Sequence, residues 1–152
     1  MLETEGMVAQ TIQLALAPVF VLVAIGNIMN ILSTRLGRIV DRSRYLQQLH
    51  PATEGPEHDA IVREIRLVDR RIHLIGKAIL LLVLSGLTIG FCVALLFIEE
   101  LFKVSLQQVA AATFMLAIVL LMWALTLFLR ETRSATAALR IPETYLELER
   151  KL

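Results

Sequence analysis

Long stretches without any charged residue alternate with stretches in which charge returns every few positions. The first uncharged stretch runs from residue 6 to residue 34, and two more follow after residue 77. About 20 helical residues cross the hydrocarbon core of a bilayer, and helices of a soluble protein would keep a polar face that these stretches lack. The pattern predicts an all-α membrane protein with one membrane domain. The predicted transmembrane helices are residues 11–33, 78–98 and 106–129.

Between the first two stretches, apolar residues recur at alternating spacings of four and three. The series is Ile61, Ile65, Val68, Ile72, Ile75 and Ile79. This spacing predicts a coiled-coil-like seam, and the helix-breaking residues near Pro51 and Pro56 predict a turn. The first two helices are therefore expected to extend beyond the membrane as an antiparallel hairpin stalk over residues 34–77, with Ile39 facing Val68. Residues 130–152 are expected to form a tail.

Charge predicts how the chain is oriented. Between Arg35 and Lys77 there are nine basic and six acidic residues, whereas the connection after the second stretch has one lysine. Basic loops stay in the cytoplasm, so the amino terminus is predicted outside and the hairpin and carboxyl terminus inside. The amino end begins with acidic rather than basic residues, so the first stretch is expected to remain as a membrane helix.

Two segments carry a resemblance to a known family. At RLGRIVDRSRYL (residues 35–46) and EIRLVDRRIHLI (residues 64–75), the chain resembles an uncharacterised bacterial family of three-span membrane proteins, known as a domain of unknown function. The pattern RxxRIVDRxR after the first span is its most specific part. The resemblance covers nearly the whole chain and implies a location in the bacterial inner membrane. It supplies no activity, cofactor or catalytic residue.

The chain offers no recognisable catalytic chemistry. Its three histidines are isolated in the sequence, its single cysteine lies within an apolar stretch, and no nucleotide-binding glycine pattern is present. A net charge of +1 gives no reason to expect nucleic-acid binding. We therefore expect neither an enzyme nor a bound cofactor or metal ion. The expected environment is a lipid bilayer.

Polar and basic residues of the first helix and the hairpin are the candidate functional residues. Amides within a membrane helix are costly unless they face protein or water. The pore-lining candidates are Asn27, Asn30, Ser33 and Thr34. The candidates for a basic vestibule, or for contact with lipid headgroups, are Arg35, Arg38, Arg42, Arg63, Arg66 and Arg70. Asp41 is predicted to clasp the hairpin by pairing along its own helix and across to the region of Arg66 and Arg70.

These features favour a homo-oligomeric pore or ion channel, because one chain of this size with three spans is too small to enclose a path. Rings of arginine around the axis of such an oligomer would concentrate anions. A non-conducting scaffold that presents the charged hairpin to a cytosolic protein is an alternative. A small subunit of a larger transporter is another.

Overall fold

Three long helices make up the chain. The computed structural model describes the backbone of residues 2–138 and the side chains of residues 12–135. Helix α1 spans Leu2–Leu49, helix α2 spans Gly55–Phe102 and helix α3 spans Gln107–Ala138. Most of the predicted tail, residues 139–152, lies outside the described residues. The predicted all-α fold with three helices long and apolar enough to cross a membrane is confirmed.

The connection between α1 and α2 is a tight turn. A short 3-10 helix at His50–Ala52 is followed by two extended residues, and α2 begins at Gly55. Gly55 has a φ of 65°, in the left-handed region where a side chain would be strained, and the next residue is the proline that favours a helix start. The chain therefore reverses direction within five residues.

Helices α1 and α2 share a core in which buried positions repeat every seven residues. The buried side chains of this repeat are Ile25, Leu32, Ile39 and Leu46 on α1, and Ile61, Val68, Ile75, Leu82 and Ile89 on α2. The ion pair between Arg42 and Glu64 crosses the two helices within one residue of the predicted register. Packing between α1 and α2 thus runs from the turn deep into the apolar segments.

Helix α3 packs against α2 through small residues. On α2, Ala78 and Ser85 are fully buried, and on α3, Ala117 is fully buried and Ala124 is nearly so. The Ser85 hydroxyl donates a hydrogen bond to the carbonyl oxygen of Ala117 at 2.8 Å, and the Cys92 thiol approaches the carbonyl of Ala110 at 3.4 Å. Small side chains let two helix backbones approach closely in a membrane, which is what these contacts require.

Replacing Ser85 with alanine tests the strength of this interhelical hydrogen bond. We expect the free energy of unfolding in mixed lipid and detergent micelles to fall by about 0.6 to 1.7 kcal/mol, the range typical of such bonds. Thr88→Ala is the control, because the Thr88 hydroxyl bonds Leu84 of its own helix. Equal losses for the two variants would contradict an interhelical role for Ser85.

The helices are longer than a bilayer is thick. Helices α1 and α2 have 48 residues each and α3 has 32. At 1.5 Å per residue, 48 residues extend roughly 72 Å, against about 30 Å of hydrocarbon. Any membrane that contains the apolar segments therefore leaves the charged half of the α1–α2 hairpin outside the hydrocarbon.

Candidate functional site

A buried carboxylate joins all three helices where the uncharged segments end. Glu131 of α3 has a side chain that is 0% exposed. Its Oε1 atom accepts a hydrogen bond from Arg71 Nε of α2 at 3.0 Å and lies 3.0 Å from Arg71 Nη2. Its Oε2 atom lies 3.3 Å from Nη1 of Arg35 on α1. We call Arg35, Arg71 and Glu131 the ionic triad.

The same seven-residue repeat that packs α2 against α3 also places the triad. The repeat on α2 is Arg71, Ala78, Ser85 and Cys92, and the repeat on α3, in the opposite direction, is Ala110, Ala117, Ala124 and Glu131. Paired in this way, three of the four positions are joined by hydrogen bonds, namely Arg71–Glu131, Ser85–Ala117 and Cys92–Ala110. The ionic triad is therefore the last layer of the α2–α3 interface, in which an acid takes the place of alanine.

The triad carries more positive than negative charge. Two guanidinium groups share one carboxylate, which leaves one positive charge in excess. The Oε2 contact with Arg35 lacks hydrogen-bond geometry, and Nη1 of Arg35 donates to Thr132 Oγ1 at 3.0 Å. The Arg35 side chain remains 27% exposed. A charge that is partly buried and only partly compensated favours binding of an anion from outside.

The exposed edge of Arg35 opens into a groove between α1 and α3. The groove has a volume of about 460 Å³ and is lined by Asn30, Ile31, Thr34, Arg35, Arg38 and Phe128. The Arg35 guanidinium lies over the Phe128 ring, 5.2 Å from its centroid, which is a cation–π contact. One wall of the groove is thus polar and basic, and the remainder is apolar. We call it the interfacial groove.

The predicted pore-lining residues all face outward from the single chain. Asn27, Asn30, Ser33 and Thr34 are exposed. Asn30 and Thr34 line the interfacial groove, and the Thr34 hydroxyl donates to the carbonyl of Asn30 at 3.0 Å. Ser33 is not among the lining residues. The structure therefore brings two of the four candidates to one surface feature, on the outside of the bundle.

The predicted basic residues divide into separate groups. Arg35 and Arg38 lie at the interfacial groove, whereas Arg42 pairs with Glu64 at 2.7 Å. On α2, Arg63 donates to the carbonyl of Asp59 in its own helix. Arg66 and Arg70 are exposed.

The structure does not form the predicted Asp41 clasp. Asp41 is exposed, and among the described side chains it makes no ion pair. Asp41 and Arg42 project about 100° apart around α1, and it is Arg42 that reaches α2. Arg42–Glu64 and the ionic triad are interhelical ion pairs in the described part of the chain.

Sequence reasoning missed the acid at the centre of the site. Glu131 stands directly after the third apolar stretch, among basic residues, in the segment predicted to form the tail. The available signal was its position seven residues after Ala124 in a series of alanines spaced by seven. An acid in a series of buried small residues indicates a buried charge that needs a basic partner.

The histidines, which are isolated in the sequence, each have a neighbouring polar or aromatic side chain in the structure. The rings of His50 and His58 lie 4.5 Å apart in an edge-to-face arrangement across the turn. On α2, His73 Nε2 lies 4.0 Å from Asp69 of the preceding helical turn. Within residues 12–135, no three His, Cys, Asp or Glu side chains come close enough together to hold a metal ion.

Comparison with known protein families agrees with this architecture. A family described as "Protein of unknown function (DUF2721)" matches residues 15–141, which is most of the chain. The chain belongs to the DUF2721 family. The matched region of this DUF2721 chain contains most of α1, all of α2 and α3, the ionic triad and the interfacial groove. The resemblance to an uncharacterised family is confirmed. No curated protein and no solved structure matches the chain.

Proposed function

We propose that this protein forms a homo-oligomeric pore in a bacterial inner membrane, with α1 nearest the axis. The observation that carries the proposal is the exposure of Asn27, Asn30 and Thr34 on a helix segment without charged residues. Polar side chains inside a membrane face protein or water in preference to lipid. Within the single chain these side chains face outward, and the Thr34 hydroxyl donates to the carbonyl of Asn30 in its own helix. The proposal turns this polar face toward water or other copies of the chain.

The packing of the bundle supports a path between copies over a path through one chain. Leu32, Ile75, Leu82 and Ile89 fill the interior between α1 and α2 and are 0% exposed. The interface between α2 and α3 is filled by small residues in direct contact. Ions and polar solutes need a wetted route, which this apolar interior does not offer. A conducting path therefore requires several copies around an axis.

Exposed arginines give the proposed pore a preference for anions. Arg38 continues the polar face of Asn30 and Thr34 by one helical turn, and Arg66 and Arg70 are exposed on the hairpin. In an oligomer with cytosolic hairpins, each of these residues becomes a ring of positive charge. Such rings concentrate anions and oppose cations.

Flux through liposomes that contain the purified protein tests the proposal. We expect chloride flux above that of empty liposomes. Asn30→Leu should lower this flux by about fivefold or more, because a ring of apolar side chains favours dewetting of the pore. The matched comparison is Thr34→Val against Thr126→Val, since each hydroxyl bonds the carbonyl four residues earlier in its own helix. Only the change on α1 should affect flux.

Three results would contradict the pore. One is a strictly monomeric particle by mass measurement in lipid nanodiscs. Another is the absence of flux from a verified oligomer, which would favour the scaffold. The third is a second membrane protein that copurifies in a fixed ratio and is needed for transport, which would favour a transporter subunit.

A further inference from the structure

We infer that the interfacial groove is a binding site for the headgroup of an anionic phospholipid of the inner leaflet. The inference concerns a surface of the single chain and is tested without the pore. The groove includes Asn30, Thr34 and Arg38, which the pore proposal turns toward the axis, so lipid and pore are competing assignments of this face. It rests on the depth of the groove in the membrane, its charge and the character of its two walls.

Depth places the groove where lipid phosphates lie. At one end of the groove, Asn30 and Ile31 belong to the uncharged part of α1. At the other end, Arg35 is the first charged residue after that part. The boundary between an apolar run and its first arginines marks the level of the headgroups. One helical turn separates Ile31 from Arg35, so the groove spans the boundary between acyl chains and phosphate.

Charge selects an anion. The groove is lined by two arginines and by no acidic residue, since Glu131 is buried behind Arg35. The contacts of Arg35 with Glu131 and Thr132 are both made by Nη1. A guanidinium has five N–H donors, so these two contacts do not use the donors on Nε and Nη2 of Arg35. The exposed side chain of Arg38 lines the same groove. Two neighbouring guanidinium groups suit a phosphate.

The apolar wall favours a lipid over a free phosphate. Ile31 is 55% exposed and lines the groove together with Phe128. The groove therefore offers apolar surface next to its arginines. A free phosphate would leave that surface unused, whereas the glycerol and acyl chains of a lipid would cover it. A zwitterionic headgroup would bring an ammonium group to a basic wall that has no carboxylate to receive it.

The ionic triad gives the site its rigidity. Arg35 is held by Glu131, by Thr132 and by the Phe128 ring, all on α3. A guanidinium fixed in this way loses less rotamer freedom on binding than a free surface arginine. Arg38 then supplies the adjustable contact.

Lipid binding by the full-length protein tests the inference. Native mass spectrometry of protein released from mixed micelles measures how much phosphatidylglycerol and how much phosphatidylcholine each chain retains. We expect a preference for phosphatidylglycerol and a dissociation constant about five- to tenfold higher in Arg38→Gln, as for the loss of a charge-assisted contact. Ile31→Glu, which adds a negative charge to the groove, should weaken binding at least as much.

Arg44→Gln is the matched control, because it removes the same charge from an exposed position of α1 outside the groove. It should change the dissociation constant less than twofold, as expected for general surface charge that acts at a distance. Equal weakening by Arg38→Gln and Arg44→Gln would overturn the site. Equal retention of phosphatidylglycerol and phosphatidylcholine would overturn its assignment to an anionic lipid. Both results are independent of flux, so they separate this inference from the pore.

Discussion

Replacing Glu131 with alanine is expected to lower the free energy of unfolding by about 3 kcal/mol, because it leaves two partly buried guanidinium groups without their shared carboxylate. Arg35 and Arg71 are each about 30% exposed or less, so solvent relieves part of this cost but not most of it. The measurement is unfolding by sodium dodecyl sulfate in mixed micelles, followed by circular dichroism. Loss of the anchor for all three helices makes this one of the two largest effects expected for a single substitution.

Two further variants separate charge from packing at Glu131. Glu64→Ala removes the acid of an exposed pair, and it should cost no more than about 1 kcal/mol. Replacing Arg35, Arg71 and Glu131 together with leucine should cost less than Glu131→Ala alone, because no unpaired charge remains. If the triple variant is the less stable one, the energetic role assigned to the triad is wrong.

Replacing Ala117 with leucine is expected to destabilise the protein by about 2 to 3 kcal/mol and to separate α3 from α2. Ala117 is 0% exposed, and its carbonyl oxygen lies 2.8 Å from the Ser85 hydroxyl. A larger side chain has no space at this contact without movement of the backbones. The same unfolding experiment measures the loss, and a disulfide between cysteines introduced at the α2–α3 interface should form more slowly.

Ala112→Leu is the control for this substitution, since Ala112 is an exposed residue of the same helix. Leucine on a lipid-facing surface should change stability by less than about 0.5 kcal/mol. If Ala117→Leu is tolerated equally well, then the close approach of α2 and α3 does not contribute to stability as described.

The buried acid Glu131 and the small-residue contact at Ala117 can each be predicted only in part from the sequence. The small-residue repeat of α3 is visible as alanines at a spacing of seven, but a small residue in a membrane helix is also common without any partner. That Ala117 meets Ser85, and not another helix, follows only from the relative position of α2 and α3. Glu131 is also evident in the sequence as an acid at the end of this series. Its ion pair with Arg35 cannot be predicted, because the two residues lie 96 positions apart in the chain.

By itself, the sequence determined the three helices and their apolar character. These properties are local, because the length and the apolar character of each helix follow from its own uncharged run of residues. The tertiary structure alone decided where α3 lies, which arginines share Glu131, and that Asn30 and Thr34 border a groove with Phe128. These are contacts between residues far apart in the chain, and their geometry depends on how α1 and α3 are arranged around α2, which no single helix encodes.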